Sequence, residues 1–445
     1  MNLTIGDIEK ILNSSSKFPD KQTRIRTFAI DSRKVKSGDV FVAIQGQNTD
    51  GHRFVNDALH KGALVAIIEK GSCTNCIHVP QSINALGKLA RTFAQENNFK
   101  VIGITGSIGK TTTKQAACSV LNSGFKVGGS IGNMNTEIGL PLSVLSASGN
   151  TDILVLEMGA RNPGDINYLC NIVKIEMGVI TRIAPVHLEN FKTIDNIIKT
   201  KCEIIDNLNT TGVGLLNSDD TKLKELGKKF KNIEYFGCEA QNVQSIKYNS
   251  QGTEIDIKGE GHYFIPILGE TGLYAMLAAI KIGQIYGLDY SQIKSGLEQT
   301  VNAPGRLKLE KIGKLLVIDD SYNSNPVALS SALKLSKKFK ANRYIAVLGD
   351  MKELGDEENY YHILSGIEVG NMKFDYLIAV GEKADLFQQG AVKSGITEDN
   401  IYTSPDWEHG YQQLKQIIQP EDLVLIKASR AVQLDKLVAA LKGGK

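Results

Sequence analysis

The 445-residue sequence lacks a long hydrophobic run. No segment approaches the roughly 18 consecutive apolar residues that a membrane-spanning helix requires. The first residues also have neither the basic nor the apolar part of a secretory signal peptide. We therefore expect a soluble protein of the cytoplasm without membrane insertion.

An excess of charge is also missing. The sequence has 51 basic and 48 acidic residues and a formal net charge of +3, whereas nucleic-acid-binding domains are usually strongly basic. Nucleic acid is therefore not an expected partner. The hydrophobic fraction of 42% and the charged fraction of 22% are typical of globular proteins, and the length suits roughly two to four domains.

Cysteine is scarce, with six in the chain. Only Cys73 and Cys76 have the spacing of a metal-binding pair, and the second Cys or His pair that a zinc site needs is missing nearby. A reducing compartment keeps such thiols free. The sequence therefore predicts two free thiols in a surface loop rather than a zinc site.

Apolar strands alternate with helical segments along most of the chain, without internal repeats or low-complexity tracts. Strands that are apolar throughout are typical of parallel sheets buried on both faces. Strands are predicted at residues 39–44, 62–68, 100–105, 152–157, 177–181, 214–217, 315–319, 344–348, 376–380 and 423–426. Helices are predicted at residues 54–59, 83–96 and 110–121.

This alternation predicts an α/β protein of three domains. Residues 1–97 form a small α/β domain, residues 98–302 a central parallel-sheet domain, and residues 303–445 a doubly wound, Rossmann-like domain. Ligands of such sheets bind beyond the carboxyl ends of the strands. The loops at those ends are therefore the places to search for a site.

A glycine-bearing loop joins the strand at 100–105 to the helix at 110–121. This order is the context of a phosphate-binding loop, whose glycines let backbone N–H groups approach phosphate oxygens. Ile104 occupies the place of the first Gly in the G-x4-G-K-[ST] pattern, so the loop is a variant. The loop residues predicted to bind ATP are Thr105, Gly106, Ser107, Gly109, Lys110, Thr111 and Thr112.

Several other positions admit both a functional and a structural interpretation. Glu157 ends an apolar strand, where a carboxylate either holds Mg²⁺ beside phosphates or is an ordinary strand-end acid. His187 is either a metal or phosphate ligand or a structural residue. Arg306 either reaches a bound triphosphate or is a solvated linker residue. The polar run at 319–326 either contacts a ligand or caps the next helix.

Taken together, these segments resemble the Mur ligases, the ATP-dependent amide-forming enzymes of peptidoglycan precursor synthesis. The resemblance covers essentially the whole chain. The segments that carry it are residues 31–33, 38–43, 50–52, 62–63, 105–113, 132–135, 157–159, 187–189, 305–306, 320–326, 348–355 and 427–430.

Two runs narrow the resemblance within the family. Residues 320–326 read Asp-Ser-Tyr-Asn-Ser-Asn-Pro, and residues 349–355 read Gly-Asp-Met-Lys-Glu-Leu-Gly. They are similar to the members that join D-alanyl-D-alanine to UDP-N-acetylmuramoyl-tripeptide. The resemblance implies that ATP phosphorylates the terminal carboxylate of the tripeptide. The amine of the dipeptide then attacks the acyl phosphate and phosphate leaves.

The resemblance also implies roles for single residues. Lys110 would bind the β- and γ-phosphates, Thr111 and Glu157 would hold one Mg²⁺, and His187 would help to hold a second. Lys201, to which the local sequence gives no special role, matches the lysine that relatives carbamylate to obtain a further metal-binding carboxylate. The other implied nucleotide contacts are Asn135, Arg306, Asp320, Asn323 and Asn325. The implied contacts to the uridine nucleotide are Ser32, Asp50, Gly51 and His52.

The chain departs from the family pattern at several positions. Thr136 and Arg182 each stand where relatives have Asn, and Ala428 stands where they have Gly. In residues 269–275 only the Gly of the Gly-x-His-Asn-x-x-Asn pattern is kept. In relatives, the His and Asn residues of this pattern help to hold the adenine side of ATP. A non-catalytic or weakly active nucleotide-binding homologue in a wall-synthesis assembly is therefore an alternative.

Two further classes stay open. A ligase like folylpolyglutamate synthase would share the architecture, but the uridine-type first domain and the run at 320–326 count against it. A P-loop transport or signalling ATPase would normally keep the complete glycine spacing. The expected partners are the two small-molecule substrates, and we expect a monomer.

Overall fold

The computed structural model describes residues 3–46, 49–130 and 132–443. These residues form four β-sheets, three of them surrounded by helices. Within these ranges we find no helix with both the length and the apolar character needed to span a bilayer.

The first sheet is four-stranded and parallel, in the order β1-β2-β3-β4. Its strands are β1 (Phe28–Ala29), β2 (Val40–Val42), β3 (Val65–Ile68) and β4 (Cys76–His78). The accompanying helices are α1 (Ile5–Leu12), α2 (Val55–His60) and α3 (Ser82–Asn97). Alternate residues of β2 face opposite sides, so Phe41 packs with α2 while Val40 and Val42 pack with α1 and α3.

The second sheet is six-stranded and parallel, in the order β10-β9-β8-β5-β7-β6. Its strands are β5 (Lys100–Thr105), β6 (Val127–Gly129), β7 (Ile153–Glu157), β8 (Ile175–Ile180), β9 (Leu208–Asn217) and β10 (Ile233–Phe236). The accompanying helices are α4 (Lys110–Leu121), α5 (Gly139–Leu145), α6 (Asp165–Cys170), α7 (Leu188–Phe191), α8 (Ile194–Asp206) and α9 (Thr221–Gly227). Because β5 lies between β7 and β8, the loops after these three strands meet at one edge.

A small antiparallel sheet follows, and the sequence analysis did not predict it. Its strands are β11 (Val243–Asn249), β12 (Gly252–Ile257) and β13 (Gly261–Ile265). Two helices, α10 (Gly269–Ile285) and α11 (Tyr290–Glu298), then return to pack on α4. The chain therefore closes the middle domain over the helix that begins at the glycine loop.

The last sheet is six-stranded, in the order β14-β15-β19-β16-β17-β18. Its strands are β14 (Lys308–Ile312), β15 (Leu315–Asp320), β16 (Tyr344–Gly349), β17 (Tyr376–Val380), β18 (Ile401–Ser404) and β19 (Leu423–Lys427). The accompanying helices are α12 (Pro326–Ser336), α13 (Glu358–Asn371), α14 (Ala384–Lys393), α15 (Trp407–Ile417) and α16 (Leu434–Gly443). Helices α12 to α14 cover one face and α15 and α16 the other.

The predicted α/β class is confirmed, including the central parallel sheet and the doubly wound C-terminal sheet. Only β14 runs antiparallel in the last sheet. The domain boundaries at 97 and 302 stay predictions. The expectation of free thiols at Cys73 and Cys76 is wrong, because the structure joins the two residues in a disulfide. Their separation of three in the sequence brings the Cα atoms to 5.4 Å, within the usual disulfide range.

Candidate active site

The glycine loop has a backbone that only glycine accommodates at its tightest point. Gly106 has φ +139°, and a Cβ atom there would lie 2.1 Å from Thr181 Oγ1. Gly109 has φ +87° and directly precedes the first residue of α4. The first N–H groups of a helix have no intrahelical partner and carry partial positive charge. The loop and the start of α4 therefore form a cradle suited to phosphate.

Neighbouring strands hold this loop in place. Thr181 Oγ1 donates to Ile108 O at 2.6 Å, and Ser107 N donates to Arg182 O at 2.8 Å. Thr105 Oγ1 donates to Met158 O at 2.9 Å. The missing first Gly has little effect here, because Ile104 is a fully buried residue within β5.

The Lys110 side chain folds back over the loop. Its Nζ donates to Gly106 O at 2.8 Å. Burial lowers the pKa of Lys110, the Glu157 carboxylate opposes this effect, and the Arg306 charge lowers the pKa further. The Arg306 charge therefore acts at the phosphate loop together with Lys110.

Glu157 is the centre of a hydrogen-bond cluster at the end of β7. Its side chain is 2% exposed. Oε2 accepts from Thr111 Oγ1 at 2.9 Å, and Oε1 accepts from Asn135 Nδ2 at 2.8 Å. Hydroxyl and carboxylate oxygens are ligands that Mg²⁺ prefers, so this pair fits the predicted metal. The structure thus brings together Thr111, Glu157 and Asn135.

Lys114 also belongs to this cluster, although it was not predicted as a site residue. Its Nζ lies 3.9 Å from Glu157 Oε2 and donates to Ser130 O and Gly132 O, each at 2.8 Å. Burial lowers the pKa of Lys114. A spacing of four residues places Lys114 on the same helix face as Lys110, and this spacing was the available signal.

His187 lies against the C-terminal domain rather than against Glu157. Its Nδ1 is 2.6 Å from Glu353 Oε2, without the alignment of a hydrogen bond. This contact with His187 lowers the pKa of Glu353. Both residues have positive φ, 52° and 68°, a conformation that is uncommon outside glycine and concentrates at functional sites. Glu353 belongs to the run at 349–355 that carries the family resemblance, but its contact with His187 was not predicted.

Lys201 is buried on α8 with 1% exposure. Burial lowers its pKa to about 7, and the Lys110 charge contributes in the same direction. Its Nζ lies 5.8 Å from the centre of the Phe191 ring. With a pKa of about 7, a large share of the amine is neutral near pH 7. The neutral amine is the form that reacts with carbon dioxide, and an ordinary lysine has little of it at this pH.

The predicted metal ligands are not all gathered around one point. Thr111 and Glu157 are in contact, whereas His187 contacts Glu353 and Lys201 approaches Phe191. Across residues 3–46, 49–130 and 132–443, no three His, Cys, Asp or Glu side chains converge as a metal site. The roles of His187 and Lys201 as metal ligands stay predictions.

The loop after β15 is fixed by buried polar contacts. Asp320 Oδ2 lies 2.5 Å from Lys427 Nζ, which also donates to Asn323 O at 2.9 Å. Burial raises the pKa of Asp320. The Arg306 guanidinium stacks 4.3 Å from the centre of the Tyr322 ring. These contacts hold the five residues together within the C-terminal domain.

Asn325 has the structural role that the sequence left open. Its Oδ1 accepts from Ala328 N at 2.9 Å and caps α12, whose first residue is a proline. This is a favourable N-cap arrangement. A further contact from Asn325 to a nucleotide stays a prediction.

The predicted uridine-nucleotide residues form two local groups in the first domain. Asp50 Oδ1 accepts from His52 N at 3.0 Å and lies 2.7 Å from His52 Nδ1, while Lys70 Nζ is 2.8 Å from Asp50 Oδ2. The hydrogen bond from Lys70 is the main reason that the pKa of Asp50 is lowered. A Cβ atom at Gly51 would lie 2.8 Å from the Ile44 backbone.

Ser32 belongs to the second group. It is buried, and its carbonyl oxygen accepts from Lys61 Nζ at 3.4 Å. The structure places it near α2 rather than in the Asp50 cluster.

One departure from the family pattern, Arg182, lies at the domain junction and contacts Glu270, which occupies a variable position of the pattern at 269–275. Arg182 Nη1 donates to Glu270 Oε2 at 3.1 Å, and Ser331 Oγ of the C-terminal domain donates to the same oxygen at 2.9 Å. A cavity of about 270 Å³ lies beside them and is also lined by Pro326 and Tyr361. The altered start of α10 is therefore an ordered part of the junction.

Comparison with known protein families gives three matches in chain order. The Mur ligase family catalytic domain matches residues 24–105, the Mur ligase middle domain matches residues 104–283, and the Mur ligase glutamate ligase domain matches residues 305–430. The UDP-N-acetylmuramoyl-tripeptide–D-alanyl-D-alanine ligase of Bacillus subtilis (strain 168) is 32% identical over 451 residues. That similarity covers 98% of this chain and 98% of the relative.

Solved structures give the same result. A crystal structure of MurF from Acinetobacter baumannii has a TM-score of 0.90 and 28% identity, covering 99% of this chain and 98% of that one. MurF from Thermotoga maritima in complex with ADP has a TM-score of 0.82 and 30% identity, covering 94% of this chain and 97% of that one. Both similarities extend over all three domains.

Proposed function

The chain belongs to the Mur ligase family, and from this premise we propose that it joins D-alanyl-D-alanine to UDP-N-acetylmuramoyl-tripeptide. The reaction consumes ATP and releases ADP and phosphate. The observation that carries the proposal is the 32% identity to a ligase of this name over 98% of both chains. A relationship of that extent includes the phosphate loop, the Glu157 cluster and the C-terminal loops.

The residues of the loop suit the first half of the reaction. The cradle of Gly106, Gly109 and the start of α4 would hold the phosphates of ATP, with Lys110 and Arg306 compensating their charge. Thr111 and Glu157 would hold Mg²⁺, which neutralises phosphate charge when bound. Catalysis by this arrangement rests on positioning and electrostatics, since no side chain needs to form a covalent bond.

The remaining site residues also have proposed roles. The lowered pKa of Lys201 favours a carbamate, whose carboxylate would add to the metal-binding oxygens. His187 would serve the metal from the other side of the site. Asn135, Asp320, Asn323 and Asn325 would position the nucleotide. Ser32 and the residues Asp50, Gly51 and His52 would hold the uridine nucleotide, and we propose a cytoplasmic monomer.

The decisive experiment measures phosphate release by the purified protein with Mg²⁺ and ATP. Release that requires both UDP-N-acetylmuramoyl-tripeptide and D-alanyl-D-alanine is expected, with a product mass equal to their condensation. Lys110→Ala should abolish it. No turnover by the wild type would overturn the ligase assignment and favour the non-catalytic alternative, for which residues 271–275 are the supporting observation.

A further inference from the structure

The C-terminal sheet has a crevice at the carboxyl end of β19. β19 lies between β15 and β16, and the helices that follow β15 and β16 pack on the opposite face from the helix that follows β19. Such a reversal leaves an opening where ligands of α/β sheets bind. The first exposed residue after β19 is Arg430, so its guanidinium stands at this opening.

Hydrogen bonds attach the segment before Arg430 to both neighbouring loops. Lys427 Nζ bonds to the loop after β15 through Asp320 and Asn323. On the other side, Ser429 N donates to Asp350 O at 3.0 Å, and Lys352 N donates to Ser429 Oγ at 3.0 Å. Arg430 is therefore placed between the nucleotide side of the site and the loop that carries Glu353.

One aromatic ring orients two arginines here. The guanidinium carbons of Arg306 and Arg430 lie 4.3 Å and 5.4 Å from the centre of the Tyr322 ring. In the ranges that the structure describes, neither is paired with a carboxylate, in contrast to Arg182 and Arg343. Stacking on an aromatic face holds a guanidinium without using its N–H donors. Both side chains thus keep their donors for a ligand.

The two arginines serve different parts of the site. Burial and the Arg306 charge lower the pKa of the Lys110 amine, whereas the Glu157 carboxylate opposes this shift. Arg430 is not among the groups that shift this pKa. Arg306 is therefore the arginine whose charge acts at the phosphate loop, which leaves the Arg430 donors for another ligand group.

The loop that Ser429 contacts borders a cavity of about 580 Å³. Its walls include Glu189, Glu353 and Glu358, and its lysines are Lys192 and Lys352. Lys352 is already bound to Asp350 at 2.9 Å and Glu382 at 3.1 Å. An acidic wall suits the amine end of a dipeptide, so the carboxylate end needs a free cation nearby.

We propose that Arg430 binds the free C-terminal carboxylate of the acceptor dipeptide and thereby selects peptide acids as acceptors. The planar guanidinium matches a carboxylate with two parallel hydrogen bonds. Tyr322 positions Arg430 for this contact. The inference rests on the proposed ligase activity and adds to it the residue that recognises the second substrate.

The test compares D-alanyl-D-alanine with its C-terminal amide, which lacks the negative charge. For the wild type we expect kcat/KM to be about 10- to 100-fold higher with the acid, the usual effect of a hydrogen bond to a charged group. In Arg430→Ala the acid-to-amide ratio of kcat/KM should fall close to one. The KM values for ATP and UDP-N-acetylmuramoyl-tripeptide should stay within about twofold of the wild-type values. In Arg430→Lys the acid-to-amide ratio should be intermediate, because the lysine ammonium keeps the positive charge but lacks the two parallel N–H donors of the guanidinium.

Lys192, which also lines the cavity, is the other candidate for binding the dipeptide carboxylate, and Lys192→Ala tests it. Arg91→Ala is the control for the loss of an exposed arginine outside the site. An unchanged acid-to-amide ratio in Arg430→Ala would overturn the inference, as would a rise in the KM for ATP alone. Loss of the ratio in Lys192→Ala but not in Arg430→Ala would assign the carboxylate to Lys192 and overturn it too.

A binding measurement separates this inference from the ligase proposal. If the wild type shows no turnover, the ligase proposal fails, and calorimetry with a non-hydrolysable ATP analogue and UDP-N-acetylmuramoyl-tripeptide then decides the role of Arg430. Tighter binding of the acid than of the amide, lost in Arg430→Ala, would support it. Equal binding of acid and amide by the wild type would overturn it.

Discussion

At the scale of single residues, Lys110 makes the most direct prediction. Its amine is held over the loop by Gly106 O, so removing it leaves the loop intact but without its central charge. We expect Lys110→Ala to lower kcat/KM by at least about 10²- to 10³-fold, the usual cost of a charge-stabilising group. The melting temperature should change little. Phosphate release measures the effect, and Lys88→Ala on the exposed side of α3 is the control.

Lys201 predicts a specific pH dependence. The pKa of Lys201 is about 7 in the folded protein, whereas an unperturbed lysine, as in the unfolded chain, has a pKa of 10.5. Between these two pH values the amine is protonated in the unfolded chain but largely neutral in the folded protein. The free energy of unfolding should therefore rise with pH across that window, by up to a few kcal/mol from this group. Lys201→Met should remove this slope in urea unfolding followed from pH 7 to pH 10. A slope that persists in the variant would contradict the assignment.

The same lowered pKa predicts carbamate formation. A neutral amine is the reactive form, so labelling of the wild type by ¹³C-bicarbonate should increase as the pH rises through about 7. Carbon NMR should show a carbamate signal that Lys201→Met lacks. A signal of equal size in both proteins would place the modification elsewhere.

From the sequence, the positions of the candidate site residues in the middle domain were easier to predict than the side chains that they contact. Thr111 and Glu157 were predictable because each stands at a fixed place, the start of a helix and the end of a buried strand. Glu353 was not, because its contact with His187 depends on how two domains pack. Asn325 shows the limit within a loop, since one asparagine side chain is equally suited to a ligand and to the helix cap it makes.

At the scale of elements, the turn from β5 into α4 depends on Gly106. A Cβ atom there would overlap Thr181 Oγ1, which itself holds Ile108 O. We expect Gly106→Ala to lower the free energy of unfolding by about 1–3 kcal/mol and to weaken nucleotide binding. Urea unfolding measures the first effect. Gly71→Ala is the control, because Gly71 also has positive φ but open space around it.

Helix α13 supports the loop at 350–355 through a buried histidine. His362 Nε2 accepts from Met351 N at 2.9 Å, and Nδ1 donates to Glu358 O at 2.6 Å. This arrangement requires the neutral ring, and burial lowers its pKa below 6.5 while Asp350 and Glu358 partly oppose the shift.

This histidine predicts loss of stability in acid. The unfolded chain is protonated near pH 6.5 and the folded protein only below it, so stability falls as the pH drops below 6.5 towards the lower folded-state pKa. Leaving Met351 N–H unpaired in His362→Phe should cost about 1–3 kcal/mol, and that variant should lose this part of the acid dependence. Denaturant midpoints at pH 7.5 and pH 5.5 measure both. His409→Phe, on the exposed side of α15, is the control.

The strands that sequence patterns revealed are the buried ones. β5, β7 and β8 are apolar because sheet neighbours and helices cover both their faces. β11 was missed because most of its residues are exposed, so its sequence looks like a polar loop. Its pairing partner β12 lies only two residues further along, and the hairpin is defined by that pairing rather than by apolar content.

At the scale of the whole molecule, polar contacts join the middle domain to the C-terminal domain on two sides of the junction. His187 meets Glu353 on one side, and Glu270 accepts from Arg182 and Ser331 on the other. In the proposed site, Arg306 and the Asp320 loop act together with Lys110 of the middle domain. We therefore predict that the position of the C-terminal domain controls how well this site is assembled.

Glu270 allows that coupling to be tested. Glu270→Ala removes the acceptor for both Arg182 and Ser331, so the C-terminal domain should sample more open positions without ligand. We expect a larger radius of gyration in small-angle X-ray scattering, and a KM for ATP raised several-fold, since binding must then also order the domain. A non-hydrolysable ATP analogue with UDP-N-acetylmuramoyl-tripeptide should restore the compact profile.

The matched control is Glu234→Ala, which breaks an ion pair to Lys281 inside the middle domain and should leave the scattering unchanged. Identical profiles for Glu270→Ala and the wild type, with and without ligands, would mean that the junction does not depend on this carboxylate. An open profile that ligands fail to close would separate domain position from nucleotide binding. Closure on ligand addition would instead show that Glu270 holds the domain in the absence of ligand and that the bound nucleotide is sufficient to close it.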